Sequence, residues 1–159
     1  DETEFNNALR FNLFDKAESL VNKARPRSKR NQYYRRLINA CIDNNHLSRA
    51  ATIFYTNNVP LSDSEIHRLG MAFINVDHFS RAETLFKETN NQKFGINMAE
   101  YYIEKSRFNL KTKGIVRKRR VHTDESFLLM NRAKRIIKNI SSIRDVNRLN
   151  RLINNLEDN

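Results

Sequence analysis

The residues best suited to chemistry in this sequence are the cations between Lys105 and Arg120. Eight of the sixteen residues in this stretch are lysine or arginine, and none is acidic. Because like charges repel and cannot pack into a core, we expect an extended, mobile loop. Its charges could bind the phosphates of a nucleic acid and release the counterions condensed there. The six that we assign to a polyanion site are Lys111, Lys113, Arg117, Lys118, Arg119 and Arg120.

Further cations follow on two predicted helices. The first helix after the loop carries three cations opposite its apolar face, namely Arg132, Arg135 and Lys138. The last helix carries a similar stripe, namely Arg144, Arg148 and Arg151. Together with the loop they could form one patch for a phosphate backbone. For either stripe alone a solvated face is the simpler interpretation, whereas the acid-free loop favours binding.

Arg36 and Arg68 occupy equivalent positions 32 residues apart, each just before a leucine of a predicted helix. They could contact phosphates, which position a nucleic acid without reading its sequence. A smaller basic group surrounds Pro26 and consists of Arg25, Arg27, Lys29, Arg30, Arg35 and Arg36. Four tyrosines could stack on bases, but at helical spacing we interpret them as core residues: Tyr33, Tyr34, Tyr101 and Tyr102.

No residue pattern indicates catalysis. His46 and His78 are equivalent turn residues, and His67 and His122 have no recognisable partner in the sequence. Cys41 is the single cysteine and occupies a core position, which excludes an intramolecular disulfide and a cysteine-based metal site. The sequence has no phosphate-cradling glycine loop and no metal-ligand spacing. We expect a protein without enzymatic activity, cofactor or metal, in a reducing intracellular compartment.

Composition favours a helical protein with an anionic partner. The 159 residues include three glycines and two prolines, too few for the many turns of an all-β fold. The net charge is +11, of which +2 belongs to residues 1–80 and +9 to residues 81–159. Such asymmetry is typical of proteins that bind polyanions. No apolar run approaches the ~20 residues of a membrane span, so we expect no membrane partner.

A short pattern of apolar residue, capping residue, cation and alanine occurs four times, beginning at Phe14, Leu47, Phe79 and Met130. The first three copies lie 33 and then 32 residues apart, an interval typical of helical repeats. A predicted turn precedes each of these three, at residues 12–13, 45–46 and 77–78. Repeat proteins of this kind present a long surface to another macromolecule.

Helix-capping residues follow the same period. Asp15, Ser48 and Ser80 are placed to accept hydrogen bonds from the free amides of the helix after each turn. Three pairs have capping-box spacing, namely Asp15 with Glu18, Ser62 with Glu65, and Ser80 with Glu83. The predicted core series of the second and third units are Leu37, Cys41, Leu47, Ala50 and Phe54, then Leu69, Phe73, Phe79, Ala82 and Phe86.

The third unit resembles the tetratricopeptide repeat family through Leu69-Gly70, Phe73, the turn Asp77-His78-Phe79, Ala82 and Phe86. Residues 34–41 resemble a pentatricopeptide repeat more weakly. The tetratricopeptide resemblance covers about residues 2–105 and implies an all-α fold, a short right-handed α-solenoid of three to four helical hairpins with a C-terminal capping helix. It also implies a groove that binds another protein or a peptide. The chain departs from the family in its period and in the cations before each alanine.

These patterns predict one domain, residues 1–159. Its repeats lie at about 2–24, 31–57, 63–89 and 93–140, and the basic insertion 107–122 interrupts the last one. After the insertion we expect a helix over about 124–139, capped by Thr123, and a capping helix over about 143–157.

Two classes of function remain open. In the first, the chain is a protein–protein adaptor or regulatory domain whose basic C-terminal half contacts a polyanion. In the second, it binds RNA or another nucleic acid directly. A secretion chaperone of tetratricopeptide type is a third possibility, which the positive charge disfavours.

Overall fold

The computed structural model describes residues 2–108, 111–113, 119–121 and 123–158, with the backbone alone at 111–113 and 119–121. Helices make up most of this part of the chain, and its β structure consists of two strands of three residues each, so the predicted all-α class is confirmed.

The chain divides into two compact units, residues 1–72 and 73–159. The helices are α1 Glu2–Arg10, α2 Phe14–Asn22, α3 Arg27–Asp43, α4 Leu47–Asn57, α5 Asp63–Asn75, α6 Phe79–Thr89, α7 Gln92–Phe108, α8 Asp124–Ile137 and α9 Ile143–Glu157. The strands are β1 Lys111–Lys113 and β2 Arg119–Val121.

The turns before α2, α4 and α6 share one backbone geometry. Asn12, Asn45 and Asp77 adopt left-handed φ angles of 57°, 62° and 60°. Two hydrogen bonds close the second turn: His46 N–H donates to Cys41 O at 2.8 Å, and Asn45 N–H donates to Ile42 O at 3.2 Å. The same pair of bonds closes the other two turns. This is the Schellman pattern, in which a left-handed residue reverses the chain and satisfies the last carbonyls of a helix.

The predicted caps at Asp15, Ser48 and Ser80 are wrong. The turn geometry starts α2, α4 and α6 two residues earlier than these caps predict, at Phe14, Leu47 and Phe79. The preceding residues, Leu13, His46 and His78, hold the N-cap position without a side-chain hydrogen bond. The predicted cap residues therefore lie inside the first helical turn, and the capping boxes of Asp15 with Glu18 and of Ser80 with Glu83 do not cap these helices. The third box is confirmed, because Ser62 N–H donates to Glu65 Oε1 at 2.9 Å and Glu65 N–H to Ser62 Oγ at 3.2 Å.

The first unit packs α1 against α2, α2 against α3, and α3 against α4. Ala17 and Ala50, the repeat alanines, are completely buried, as helices in close contact require. Leu37 and Cys41 are buried as predicted, whereas Leu47 and Phe54 are half-buried. Two of the tyrosines also belong to this core, Tyr33 and Tyr34, which confirms their interpretation as core residues.

The second unit is built on the packing of α7 against α8, which lie on either side of the basic insertion. Ala133 and Tyr102 are completely buried in this unit. Ser106 Oγ donates to Ser126 O at 3.0 Å, a buried bond between the two helices. Thr123 caps α8 as predicted, because its side chain accepts from Ser126 N–H. The last helix, α9, packs on both α7 and α8 through a buried face, namely Leu149, Ile153 and Leu156.

Candidate functional site

The predicted polyanion insertion contains a short antiparallel pair of strands. The register places Cα atoms opposite each other in three pairs: Lys111 with Val121, Thr112 with Arg120, and Lys113 with Arg119. Four predicted cations therefore lie on two neighbouring strands, whereas Arg117 and Lys118 lie outside the described residues. One of these three pairs, Lys113 with Arg119, places two cationic residues opposite each other in the register.

The cations of α8 are paired with an acid of their own unit. Glu83 on α6 accepts from Arg132 through Oε2 and from Arg135 through Oε1, the second at 3.1 Å. Burial raises the pKa of the Tyr102 phenol and the nearby Glu83 raises it further. The phenol therefore stays protonated and donates to Glu83 Oε2 at 2.9 Å. Glu83 thus compensates two predicted phosphate ligands, while Lys138 at the end of α8 is exposed.

The stripe on α9 is compensated in part. Arg148 donates to Glu100 Oε1 at 3.0 Å and to Asp145 Oδ1 at 3.5 Å. The hydrogen bond to Glu100 is the main cause that raises the pKa of Arg148. Arg144 and Arg151 are exposed. The arginine at the centre of the stripe therefore holds α9 to α7.

Arg36 and Arg68 both donate to asparagines of a preceding helix. Arg36 reaches Asn6 Oδ1 at 2.5 Å, and Arg68 reaches Asn39 Oδ1 at 2.9 Å and also pairs with Asp43. The guanidinium of Arg36 also lies 5.1 Å from the centre of the Phe5 ring. Both arginines thus hold neighbouring helices of the first unit together, and the donors that remain could still contact a phosphate.

The two turn histidines lie beside phenylalanine rings, and the single cysteine lies in the core. The His46 ring lies 4.8 Å from the Phe14 ring, and the His78 ring 6.5 Å from the Phe73 ring. Cys41 is completely buried, and burial raises its pKa to about 11. Within the described ranges no group of three or more histidine, cysteine, aspartate or glutamate residues could hold a metal ion.

Clefts open between helices in both units. One of about 190 Å³ in the first unit is lined by Phe5, Leu20, Ala24 and Tyr33 and by three cations, Lys23, Arg25 and Lys29. One of about 400 Å³ in the second unit lies between α7 and α9, beside Arg107, Arg148 and Leu152. Another of about 330 Å³ lies between α6 and α8, beside Glu83, Lys87 and Arg135.

Sequence reasoning missed two residues that organise these contacts. Glu83 was expected to complete a capping box, yet its partners on α8 lie 49 and 52 residues later. Lys23 was not assigned to the basic group around Pro26, although it lines the first cleft. The absence of acidic residues between Glu18 and Asp43 was the signal that could have drawn attention to it.

No helix in the described part of the chain combines the length and the apolar character needed to cross a membrane. We compared the chain with family models, curated proteins and solved structures. None of the three comparisons found a match.

Proposed function

We propose that this chain is a non-catalytic interaction module of tetratricopeptide-like helical hairpins arranged as a short right-handed solenoid. In this proposal the hairpin surface binds another protein or a peptide, as an adaptor or regulatory domain does. The basic C-terminal half contacts a polyanion. The single observation that carries the proposal is the recurrence of one turn geometry at Asn12, Asn45 and Asp77. Repeated supersecondary units of this kind form extended binding surfaces.

The contacts of the helical cations support the insertion as the main polyanion-binding element. Arg132 and Arg135 share Glu83, and Arg148 pairs with Glu100. Compensated charges of this kind contribute little to attracting a distant anion. The sequence from Lys105 to Arg120, by contrast, contains eight cations and no acid. We therefore assign the strongest contacts to Arg117, Lys118, Arg119 and Arg120.

The second candidate function is direct binding of RNA or another nucleic acid, which the acid-free insertion favours. A salt series separates the two candidates. We would measure binding of labelled single-stranded RNA, duplex DNA and polyglutamate by the full chain from about 50 to about 200 mM salt. Tight, steeply salt-dependent binding of a nucleic acid supports direct recognition. Binding of polyglutamate alone supports contact with an acidic protein, and binding of none of the three overturns the polyanion proposal.

The insertion itself is tested by replacing Arg117, Lys118, Arg119 and Arg120 with alanine. On duplex DNA each lost phosphate contact should reduce the salt slope by about 0.9. An unchanged affinity and slope would contradict the assignment of these four residues.

Glu83→Gln provides a complementary measurement. It retains an acceptor for Tyr102 but removes the charge that compensates Arg132 and Arg135. If these two arginines contact the polyanion, the variant binds more tightly and with a steeper salt slope. Equal binding by the variant and the parent protein would show that both arginines stabilise the fold and do not contact the polyanion.

A further inference from the structure

The first unit contains a basic segment that is independent of the insertion. Residues 19–42 include no aspartate or glutamate. They include seven cations, namely Lys23, Arg25, Arg27, Lys29, Arg30, Arg35 and Arg36. The whole of residues 1–80 has a net charge of +2, so this segment concentrates positive charge that acids elsewhere balance in the total. We call residues 23–36 the α3 basic segment.

Neutral groups hold several of these cations in place. Arg25 donates from its guanidinium to the backbone oxygens of Ala24 at 3.1 Å and Asn22 at 3.4 Å. The Lys29 ammonium lies 5.8 Å from the centre of the Tyr33 ring. Carbonyl dipoles and aromatic faces orient a cation without cancelling its charge. The segment therefore keeps its positive electrostatic potential. Its side chains are also partly ordered before binding, which lowers the entropic cost of binding.

Acids compensate this segment far less than the helices of the second unit. Of its seven cations, Arg35 alone contacts a carboxylate among the described residues, that of Glu65 at 2.8 Å. Arg30 Nε is buried and has no hydrogen-bond partner in the same part of the chain. Lys23, Arg27 and Lys29 are exposed. A cluster of cations with so little compensation by acids attracts a polyanion, because binding releases the counterions condensed on the polyanion.

The cleft of about 190 Å³ adds a second feature beside these charges. Lys23, Arg25 and Lys29 line it together with Leu20 and Ala24, and two buried aromatic residues, Phe5 and Tyr33, complete the wall. Pockets for drug-sized ligands typically span about 300–1,000 Å³, so this cleft suits a single small planar group. A base of a single strand can leave its stack and enter such a cleft, whereas a paired base inside a duplex cannot.

We propose that the α3 basic segment and its cleft bind single-stranded nucleic acid. Lys23, Arg25 and Lys29 contact successive phosphates, and one unstacked base enters the cleft against Leu20 and Ala24. Apolar contact with Leu20 and Ala24 involves no hydrogen-bonding edge of the base, so the site recognises a single strand without reading its sequence. This site is separate from the basic insertion and does not depend on the function proposed for it.

The test compares two variants of equal net charge in the full chain. Lys23→Gln with Lys29→Gln removes two charges from the site. Lys16→Gln with Lys87→Gln removes two exposed charges elsewhere and serves as the matched control. Binding of a labelled oligouridine of about 12 nucleotides is measured across a salt series, a length within the range that single-strand sites cover. Urea unfolding verifies that both variants remain folded.

The site variant should lower the salt slope by about 1.4, since each phosphate contact to a single strand contributes about 0.7. At about 0.1 M salt this corresponds to roughly 10- to 25-fold weaker binding. The control should change binding by no more than a few-fold. Equal losses in both variants would show a general charge effect and overturn the proposal, as would unchanged binding by the site variant.

Ala24→Leu tests the cleft separately by filling it without changing charge. The variant should weaken binding of the single strand and leave binding of a duplex of the same length unchanged. If it weakens neither, or if the alanine variant of the insertion binds duplex and single strand equally, the assignment to a single strand is wrong. The alanine variant of the insertion separates this proposal from the function proposed above. Its loss of binding should add to the loss caused by Lys23→Gln with Lys29→Gln, because the two sites act independently.

Discussion

Arg68 donates a hydrogen bond to Asn39 Oδ1 at 2.9 Å, and this contact repeats the one that Arg36 makes to Asn6 one repeat earlier. The arginines lie 32 residues apart and the asparagines 33, which matches the sequence period. Each bond joins the first helix of one predicted unit to that of the next, α1 to α3 and α3 to α5. A repeated side-chain bond therefore accompanies the repeated turns within the first unit.

Asn39→Ala should destabilise the first unit by about 1–3 kcal/mol. Asn39 accepts from Arg68 and also donates to Glu65 Oε2 at 2.8 Å and to Arg35 O at 2.9 Å, so its loss leaves several half-buried groups unsatisfied. Urea unfolding measures the change. Asn6→Ala is the matched control, because it removes the equivalent exposed bond and should cost less than 1 kcal/mol. Equal effects of the two substitutions would contradict this account of the network.

Glu65→Gln should remove a pH-dependent part of the stability. Burial of this carboxyl group favours its neutral form, but hydrogen bonds from Ser62, Arg35 and Asn39 lower its pKa from 4.5 to about 2. Because the folded pKa is the lower one, the carboxylate stabilises the fold above pH 4.5, and this contribution disappears as the pH falls toward 2. The contribution is at most about 3 kcal/mol. Between pH 7 and pH 3 the free energy of unfolding, measured with urea, should fall less in the variant than in the parent protein. Parallel pH dependences of the two proteins would exclude this linkage.

Gly95→Ala should destabilise the second unit despite the better helix propensity of alanine. A Cβ atom at this position would lie 2.5 Å from Phe86 Cε1, closer than packed atoms approach. We expect a loss of about 1–3 kcal/mol from overpacking, measured by chemical unfolding. The double variant with Phe86→Leu and Gly95→Ala should lose less unfolding free energy than the sum of the losses of the two single variants, because the smaller leucine leaves room for the new Cβ atom. A stable Gly95→Ala protein would show that the Phe86 ring moves easily.

Cys41 should react slowly with thiol reagents in the native protein. The side chain is completely buried and burial raises its pKa to about 11, so roughly a thousandth of it is thiolate at pH 8. Labelling with an aromatic disulfide should proceed at least about 100-fold more slowly than in the urea-unfolded chain, which is the control. Rapid labelling under native conditions would contradict the core position of this cysteine.

Sequence periodicity identified the helices of this chain well, because helix formation depends on local patterns. The three turns, the core alanines Ala17, Ala50 and Ala82, and the caps at Ser62 and Thr123 lie where the sequence predicts them. The predicted caps at Asp15, Ser48 and Ser80 are wrong because the start of a helix depends on the turn before it. After a Schellman turn the next helix starts at the residue that directly follows the turn. The sequence alone did not reveal that this turn type fixes the first residue of the helix.

The sequence by itself determined the helical class, the repeat period and the concentration of positive charge. These properties depend on composition and on spacing over a few helical turns. Only the tertiary structure decided which cations are compensated, because such pairs join residues that are distant in the chain. Glu83 meets Arg132 49 positions later, while Lys23 and Lys29 meet no acid among the described residues. Coulombic attraction depends on distance in space, and folding sets that distance.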